Sequence, residues 1–403
     1  MEKTRIGIIR EGKVPPDFRT PLTPQQCKML QNQYPFVEVQ VETSPIRTFS
    51  DEAYQAQGIQ VVDNVSSCDI LLGVKEVPID QLIPNKTYLF FSHTLKKQPY
   101  NRELLAAILQ RKIRLVDYEA IRDKYRNRLI GFGRYAGIVG CYNGFLTYGL
   151  KHGLYTLKPA HQCADRNEVE HELSKVQLPK NFKCLLTGFG RVGHGAAEIM
   201  QLLPLKEVSP EEYLTQTFDE PVYAQLEVED YYQKSDGTFD KSEFYANPEG
   251  YHCVLNQYTP STDLYMPCHY WDNRASVMLS REDLINSPRL QVIADISCDV
   301  NGPIASTIRP SKIGAAIYGF DPTTGEETDY QNEGAIAVMA VDNLPCELPK
   351  DASEDFGNEL LKHVFPRLLV DDPDNIIHNA SETTFQGTLN APFMYLSDYV
   401  NGK

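Results

Sequence analysis

Short apolar runs bounded by charged or turn-forming residues recur through the first third of the chain. The runs at 4–10, 37–41, 69–74, 89–92 and 113–117 each have the length of a buried strand and are rich in Ile, Val, Leu or Phe. Residues 102–111 instead space Leu104, Leu105, Ile108 and Leu109 as one face of a helix. Thr23, Pro24 and Gln26 mark a helix start, with an N-cap, a proline at the first helical position and a capping-box partner. Strands alternating with helices predict a parallel α/β sheet, in which binding residues gather at the carboxyl ends of strands. Lys75 and His93 both fall at such ends.

A second alternating region follows. Residues 131–150, rich in Gly, Tyr and Phe, read as a buried helix. Residues 182–187 then form a strand pattern that runs into Gly188-Phe189-Gly190-Arg191-Val192-Gly193 and a small-residue helix. In this G-x-G-x-x-G turn, Gly188 permits the tight bend, Gly190 admits a pyrophosphate and Gly193 packs helix on strand. Arg191 and Val192 carry the N–H groups of the first helical turn, where phosphate is favoured. The strand pattern at 291–296 places Asp295 and, just beyond, Asp299 at another carboxyl end, so both are expected at the cofactor. The acidic residue that binds a ribose 2′-hydroxyl is expected roughly 20 residues after the first glycine. That count lands on Lys206 to Pro210, with Ser209 at the expected strand end and Glu207 available only in a shifted register. A serine beside Lys206 suits a 2′-phosphate at least as well, so the expectation is NADP or NAD, leaning to NADP. Residues 207–256 are acidic, Tyr-rich and weakly periodic, an insertion or an irregular part of this region. An amphipathic helix over 351–369 closes the chain, and the tail beyond it shows little pattern of its own.

With 403 residues the chain exceeds the roughly 250–300 that one core supports, which predicts two or three domains. Its 54 acidic against 39 basic residues give a net charge of -15 and argue against nucleic-acid or anionic-membrane partners. No apolar run approaches a membrane span, and Met1-Glu2-Lys3 leads straight into a strand rather than a signal peptide, so a cytoplasmic protein is expected. The nine cysteines are scattered singly without a C-x-x-C pair and read as small core residues. His252-Cys253 and Cys268-His269 lack tight ligand spacing, so no metal is expected. Against this acidic background Arg10, Lys13, Arg19, Lys75, His93, Gln98 and Arg128 lie on segments that converge at strand ends of the first region. Each alone reads as a solvated charge; beside a dinucleotide turn, together they read as a site for an anionic small molecule. A Lys–His pair facing a nicotinamide suits hydride transfer coupled to proton movements at nitrogen and oxygen.

Gly73-Val74-Lys75-Glu76-Val77-Pro78 and Thr87-Tyr88-Leu89-Phe90-Phe91-Ser92-His93-Thr94 resemble the first domain of the alanine dehydrogenase and transhydrogenase superfamily. Within it the chain most resembles the lysine-forming saccharopine dehydrogenases and the lysine–ketoglutarate reductase domains. The segments at 113–119, 131–133, 295–299, 341–345 and 348–356 extend that resemblance over nearly the whole chain. The resemblance implies two Rossmann-like parallel-sheet domains with an active-site cleft between them, the first discontinuous. Residues 1–135 with 345–403 would form the catalytic domain, and 136–344 the dinucleotide-binding one. It implies Lys75 and His93 as the acid–base pair, with Lys13, Arg19, Gln98 and Arg128 on the substrate. It further implies the interconversion of saccharopine with lysine and 2-oxoglutarate. An alanine- or opine-type dehydrogenase, and a dinucleotide-binding protein without activity, are the alternatives.

Overall fold

The computed structural model describes residues 3–402, so the reading of Met1 and Glu2 lies outside the described residues. The chain forms two compact units, residues 1–132 with 349–403 and residues 133–348.

The first unit is built on six strands: β1 (Thr4–Ile8), β2 (Val37–Glu42), β3 (Gln60–Val62), β4 (Ile70–Leu72), β5 (Thr87–Phe90) and β6 (Arg114–Asp117). Their order is β3-β2-β1-β4-β5-β6, and every pairing is parallel. A parallel sheet is covered on both faces, which is why its strands read as continuous apolar runs. Leu72, Leu89 and Val116 pack on one side with Phe356 and Leu360, whereas Leu71, Tyr88, Phe90 and Leu115 pack on the other with Leu104 and Ile108. The capping box at Thr23 and Gln26 is present as expected. The closing segment is helical over Pro349–Glu359, widens into a π-type turn over Leu360–Val364 and resumes over Phe365–Leu369. The tail departs from expectation, because it covers the open edge of β6. Ser381 bridges Val116 antiparallel, Glu382 N–H donates to Leu115 O at 2.7 Å, and Thr383 Oγ1 accepts from Leu115 N–H at 2.9 Å.

The second unit contains β7 (Lys183–Thr187), β8 (Lys206–Glu207), β9 (Val222–Leu226), β10 (Tyr232–Gln233), β11 (His252–Cys253), β12 (Leu264–Pro267), β13 (Val292–Ala294), β14 (Ile317–Asp321), β15 (Glu326–Thr328) and β16 (Ile336–Met339). Eight of these form one sheet in the order β15-β14-β16-β13-β12-β7-β9-β8, while β10 and β11 pair separately. Residues 207–256 are therefore no mere insertion. They contain β9, which is wholly buried and lies directly beside β7. The helix Gly133–His152 is buried along most of its length and crosses the helix Arg191–Met200 at backbone contact. A Cβ on Gly137 would strike Val192 O, and one on Gly195 would strike Arg134 O, so only glycine fits at this crossing. Among the described residues no helix is long and apolar enough to cross a membrane.

Candidate active site

Three strand ends of the first unit bring a charged cluster together. The turn after β4 carries Lys75 and Glu76, the turn after β5 carries His93, and the loop after β1 carries Glu11, Lys13, Asp17 and Arg19. Glu76 joins two of the expected site residues: one oxygen lies 2.6 Å from His93 Nδ1 and the other 2.6 Å from Lys13 Nζ. Burial raises the Glu76 carboxyl, but the hydrogen bonds from His93 and Lys13 outweigh it and hold the group at about 2. An ionised Glu76 requires His93 Nδ1 to be the donor, which leaves Nε2 as the nitrogen free to exchange a proton.

Lys75 sits beside this dyad. Among the described residues none hydrogen-bonds or ion-pairs with its ammonium within ordinary distances. Burial first, and then the positive charges of Arg19 and Lys13, push its pKa down, against the opposing pull of Asp17 and Glu76. Its backbone is fixed from below, where Glu11 accepts the N–H groups of Val74 at 2.6 Å and Lys75 at 2.9 Å. Burial and the nearby Asp17 raise the Glu11 carboxyl to about 7 despite those bonds. Phe91, Tyr118, Phe132 and Phe356 form an aromatic floor, with Phe132 and Phe356 stacked at 4.4 Å between centroids.

The expected substrate cations have countercharges of their own. Arg19 is 3% exposed and forks onto Asp17 through Nε at 3.0 Å and Nη2 at 2.6 Å, and its guanidinium lies 4.1 Å over the Phe132 ring. Its bidentate edge is thus used inside the protein, and it acts on Lys75 through space. Arg128 meets Glu119 at 2.7 Å, with its side chain 37% exposed. Gln98 stands apart from this group: its side chain bonds Tyr100 and its carbonyl accepts from Tyr399. Sequence reasoning missed Glu11, Asp17 and Glu76 as members of the site. The signal was available only for Glu76, next to Lys75 at the same strand end.

In the second unit the glycine turn has the shape a diphosphate needs. Gly188 has φ of +97° and packs against the Cys268–His269 backbone. A Cβ on Gly193 would strike Gly188 O, whereas one on Gly190 would meet nothing within 4 Å. Gly190 therefore opens onto space at the start of the helix Arg191–Met200, whose first turn holds Arg191, Val192 and Gly193. A negatively charged diphosphate fits there by backbone N–H and dipole alone. His269, which the sequence offered only as a weak metal candidate, lies at the end of β12 with Nδ1 2.7 Å from Thr187 Oγ1. Its Nε2 is buried without a hydrogen-bond partner, and burial pushes the ring down to about 4, so it is a neutral imidazole at this strand end.

Two expected cofactor residues are placed differently from the expectation. Ser209 does not follow the strand beside β7. It caps the helix Pro210–Thr215 after the edge strand β8, where it accepts from Glu212 N–H. The strand beside β7 is β9, and the residue after its carboxyl end is Glu227, whose side chain is 40% exposed and 3.3 Å from Lys241. Asp295 is wholly buried, and both oxygens serve the turn after β13: Ser297 Oγ lies at 2.6 Å, Cys298 N at 3.0 Å and Thr307 Oγ1 at 2.5 Å. Its side chain shapes the turn. Asp299 lies farther along that turn, half-buried, with its carbonyl accepting from Gly302 N–H at 3.0 Å.

Residues 7–139 match the family model described as the alanine dehydrogenase/PNT N-terminal domain. The alpha-aminoadipic semialdehyde synthase of Arabidopsis thaliana is 31% identical over 88% of the chain and 37% of its own length. The mitochondrial alpha-aminoadipic semialdehyde synthase of Bos taurus is 30% identical over 92% of the chain and 44% of its own length. The chain thus spans less than half of these relatives. A saccharopine dehydrogenase [NAD(+), L-lysine-forming] of Emericella nidulans is 26% identical over 90% of the chain and 91% of its own. Among solved structures, an L-alanine dehydrogenase superposes with a TM-score of 0.66 at 17% identity over 99% of both chains, which speaks to the fold. The chain is thus similar to alpha-aminoadipic semialdehyde synthases and saccharopine dehydrogenases, and its residues 7–139 match the alanine dehydrogenase/PNT N-terminal domain.

Proposed function

We propose that the chain is an NAD-dependent amino acid dehydrogenase that interconverts saccharopine with L-lysine and 2-oxoglutarate. The observation that carries this reading is the half-buried Lys75 ammonium, which none of the described residues pairs with and whose pKa is depressed, beside a His93–Glu76 dyad. Forming the C–N bond requires a neutral amine, and Lys75 removes the proton from the incoming ε-ammonium. Loss of water from the carbinolamine requires an acid at its hydroxyl, and His93 Nε2 supplies that proton while Glu76 stabilises the imidazolium before it gives the proton up. Arg128 and Lys13, the more open cations, hold substrate carboxylates. A bound nicotinamide dinucleotide supplies the hydride for the imine carbon. The test is oxidation of NADH dependent on both lysine and 2-oxoglutarate, run beside pyruvate with ammonia. Turnover with the second pair alone would make it an alanine-type enzyme, and no turnover with NADH or NADPH by folded protein would overturn the reading.

The cofactor reading shifts from NADP to NAD because of Glu227. A carboxylate at the strand end beside β7 accepts hydrogen bonds from a ribose diol and repels a 2′-phosphate. Glu227→Ser is expected to weaken NADH binding about tenfold and to narrow the preference over NADPH. Fluorescence titration of both cofactors checks this, and an unmutated protein that prefers NADPH would refute it.

A further inference from the structure

His93 has φ of +54°, a left-handed conformation uncommon for a residue with a Cβ, so its neighbours must hold it there. Those neighbours are Ser92 and Thr94, both wholly buried and both bonded to a wholly buried carboxyl. Ser92 Oγ makes a short hydrogen bond to Asp117 Oδ2, lies 2.6 Å from Thr94 Oγ1, and Thr94 Oγ1 lies 2.8 Å from each oxygen of Glu382. Asp117 ends β6, and Glu382 belongs to the tail segment that covers the edge of β6. No lysine or arginine pairs with either acid among the described residues. The other titratable groups near them are Tyr118, Glu119, Tyr395 and Tyr399.

The protons can be counted. Asp117, Ser92, Thr94 and Glu382 are joined in series by three close O···O links, the last reaching both Glu382 oxygens, with a longer Ser92–Glu382 contact at 3.5 Å besides, but the two hydroxyls bring only two protons. A third proton must lie on one of the carboxyls. Asp117 also accepts the N–H groups of Ser92 at 3.1 Å and Glu119 at 2.6 Å, which favour its ionised form. Among the described residues the Glu382 side chain is bonded only to the two hydroxyls. A neutral Glu382 then donates to Thr94, Thr94 to Ser92 and Ser92 to an ionised Asp117, with every bond satisfied and one charge buried instead of two.

We propose that Glu382 and Asp117 are a positioning pair that shares one proton, with Glu382 the neutral member, and that this proton holds the His93 turn in place for acid–base work. The role of His93 rests on the function proposed above; the shared proton does not. Burial and then the Asp117 charge raise the Glu382 carboxyl well above the ordinary range, in keeping with the count. A carboxyl raised on folding contributes stability that is lost as pH rises through its folded pKa. Alkaline titration is therefore expected to loosen the Thr94–Glu382 link.

Infrared difference spectra of the full chain near neutral pH test the proton directly. A protonated-carboxyl C=O band present in the unmutated protein and lost in E382Q supports the proposal. The absence of such a band, or its loss only in D117N, overturns it. Gln at 382 still donates to Thr94, so E382Q is expected to keep the His93 imidazole NMR titration and kcat. E382L and D117N are expected to shift that titration and to lower kcat about a hundredfold with little change in KM, the scale of misplacing a reacting group by an ångström. An unchanged His93 titration in E382L would overturn the positioning role. Absence of turnover in the unmutated protein would remove the functional reading, while the spectra would still decide the pair.

Discussion

Lys75→Met is expected to lower kcat by about a thousandfold while leaving NADH affinity unchanged, which steady-state rates and a nucleotide titration will show. The expectation follows from what surrounds the side chain. Burial and the charges of Arg19 and Lys13 disfavour the ammonium, so Lys75 gives up its proton more readily than an ordinary lysine does. Methionine matches its length and removes a half-buried cation, so folding should survive. Activity should fall as pH drops through the lowered pKa, because protonation occupies the lone pair that accepts the substrate proton. Undiminished turnover in the variant would remove Lys75 from the chemistry. The proposed cofactor contacts belong to the second unit, at the end of β7, which is why affinity for NADH separates the two effects.

Gly193→Ala carries the other large effect. Its Cβ would strike the Gly188 carbonyl and crowd Gln225 Nε2, whose hydrogen bond to that same carbonyl, at 2.8 Å, ties the turn to β9. The clash is with backbone, so no rotamer relieves it and the turn itself must open. A loss of about 1–3 kcal/mol of stability is expected, as for overpacking a close contact. NADH affinity should fall about a hundredfold, or about 2.8 kcal/mol. Gly190→Ala is the control that separates the two losses. Its Cβ meets nothing in the protein, so melting should be unchanged while the diphosphate is pushed away. If G193A binds NADH normally, the glycine turn is not the cofactor site.

Much of this was legible in the sequence wherever burial writes a continuous apolar run. The strands at 69–74, 89–92 and 113–117 were found to within about three residues because both faces of the first sheet are covered. β3 was not, since Gln60 is exposed and Val61 and Val62 are only half-buried at the sheet edge. β9 was lost for another reason. Its Gln225 faces the glycine turn and breaks the apolar pattern, and an edge strand and a short helix intervene between β7 and β9. Counting along the chain therefore reached Ser209 instead of Glu227. In the site, the cations announced themselves by contrast with an acidic chain, but their partners did not. Asp17 and Glu76 are ordinary acids among many until folding sets them against Arg19 and His93. Thr94 and Glu382 stand 288 residues apart, a pairing that no local pattern encodes.

The tail strip along β6 also bears on how the chain is made. Residues 133–348 form one uninterrupted stretch, whereas the first unit needs Phe356 for its aromatic floor and Thr383 for the edge of β6. During synthesis the second unit is complete while the first, though begun earlier, still presents an uncovered strand edge and an unfilled core. Unpaired edges are templates for association with other chains, and long-range closure is slow. The nascent protein is thus expected to be most prone to aggregate on the ribosome between the emergence of β6 and that of the tail, and to lean on chaperones over that interval.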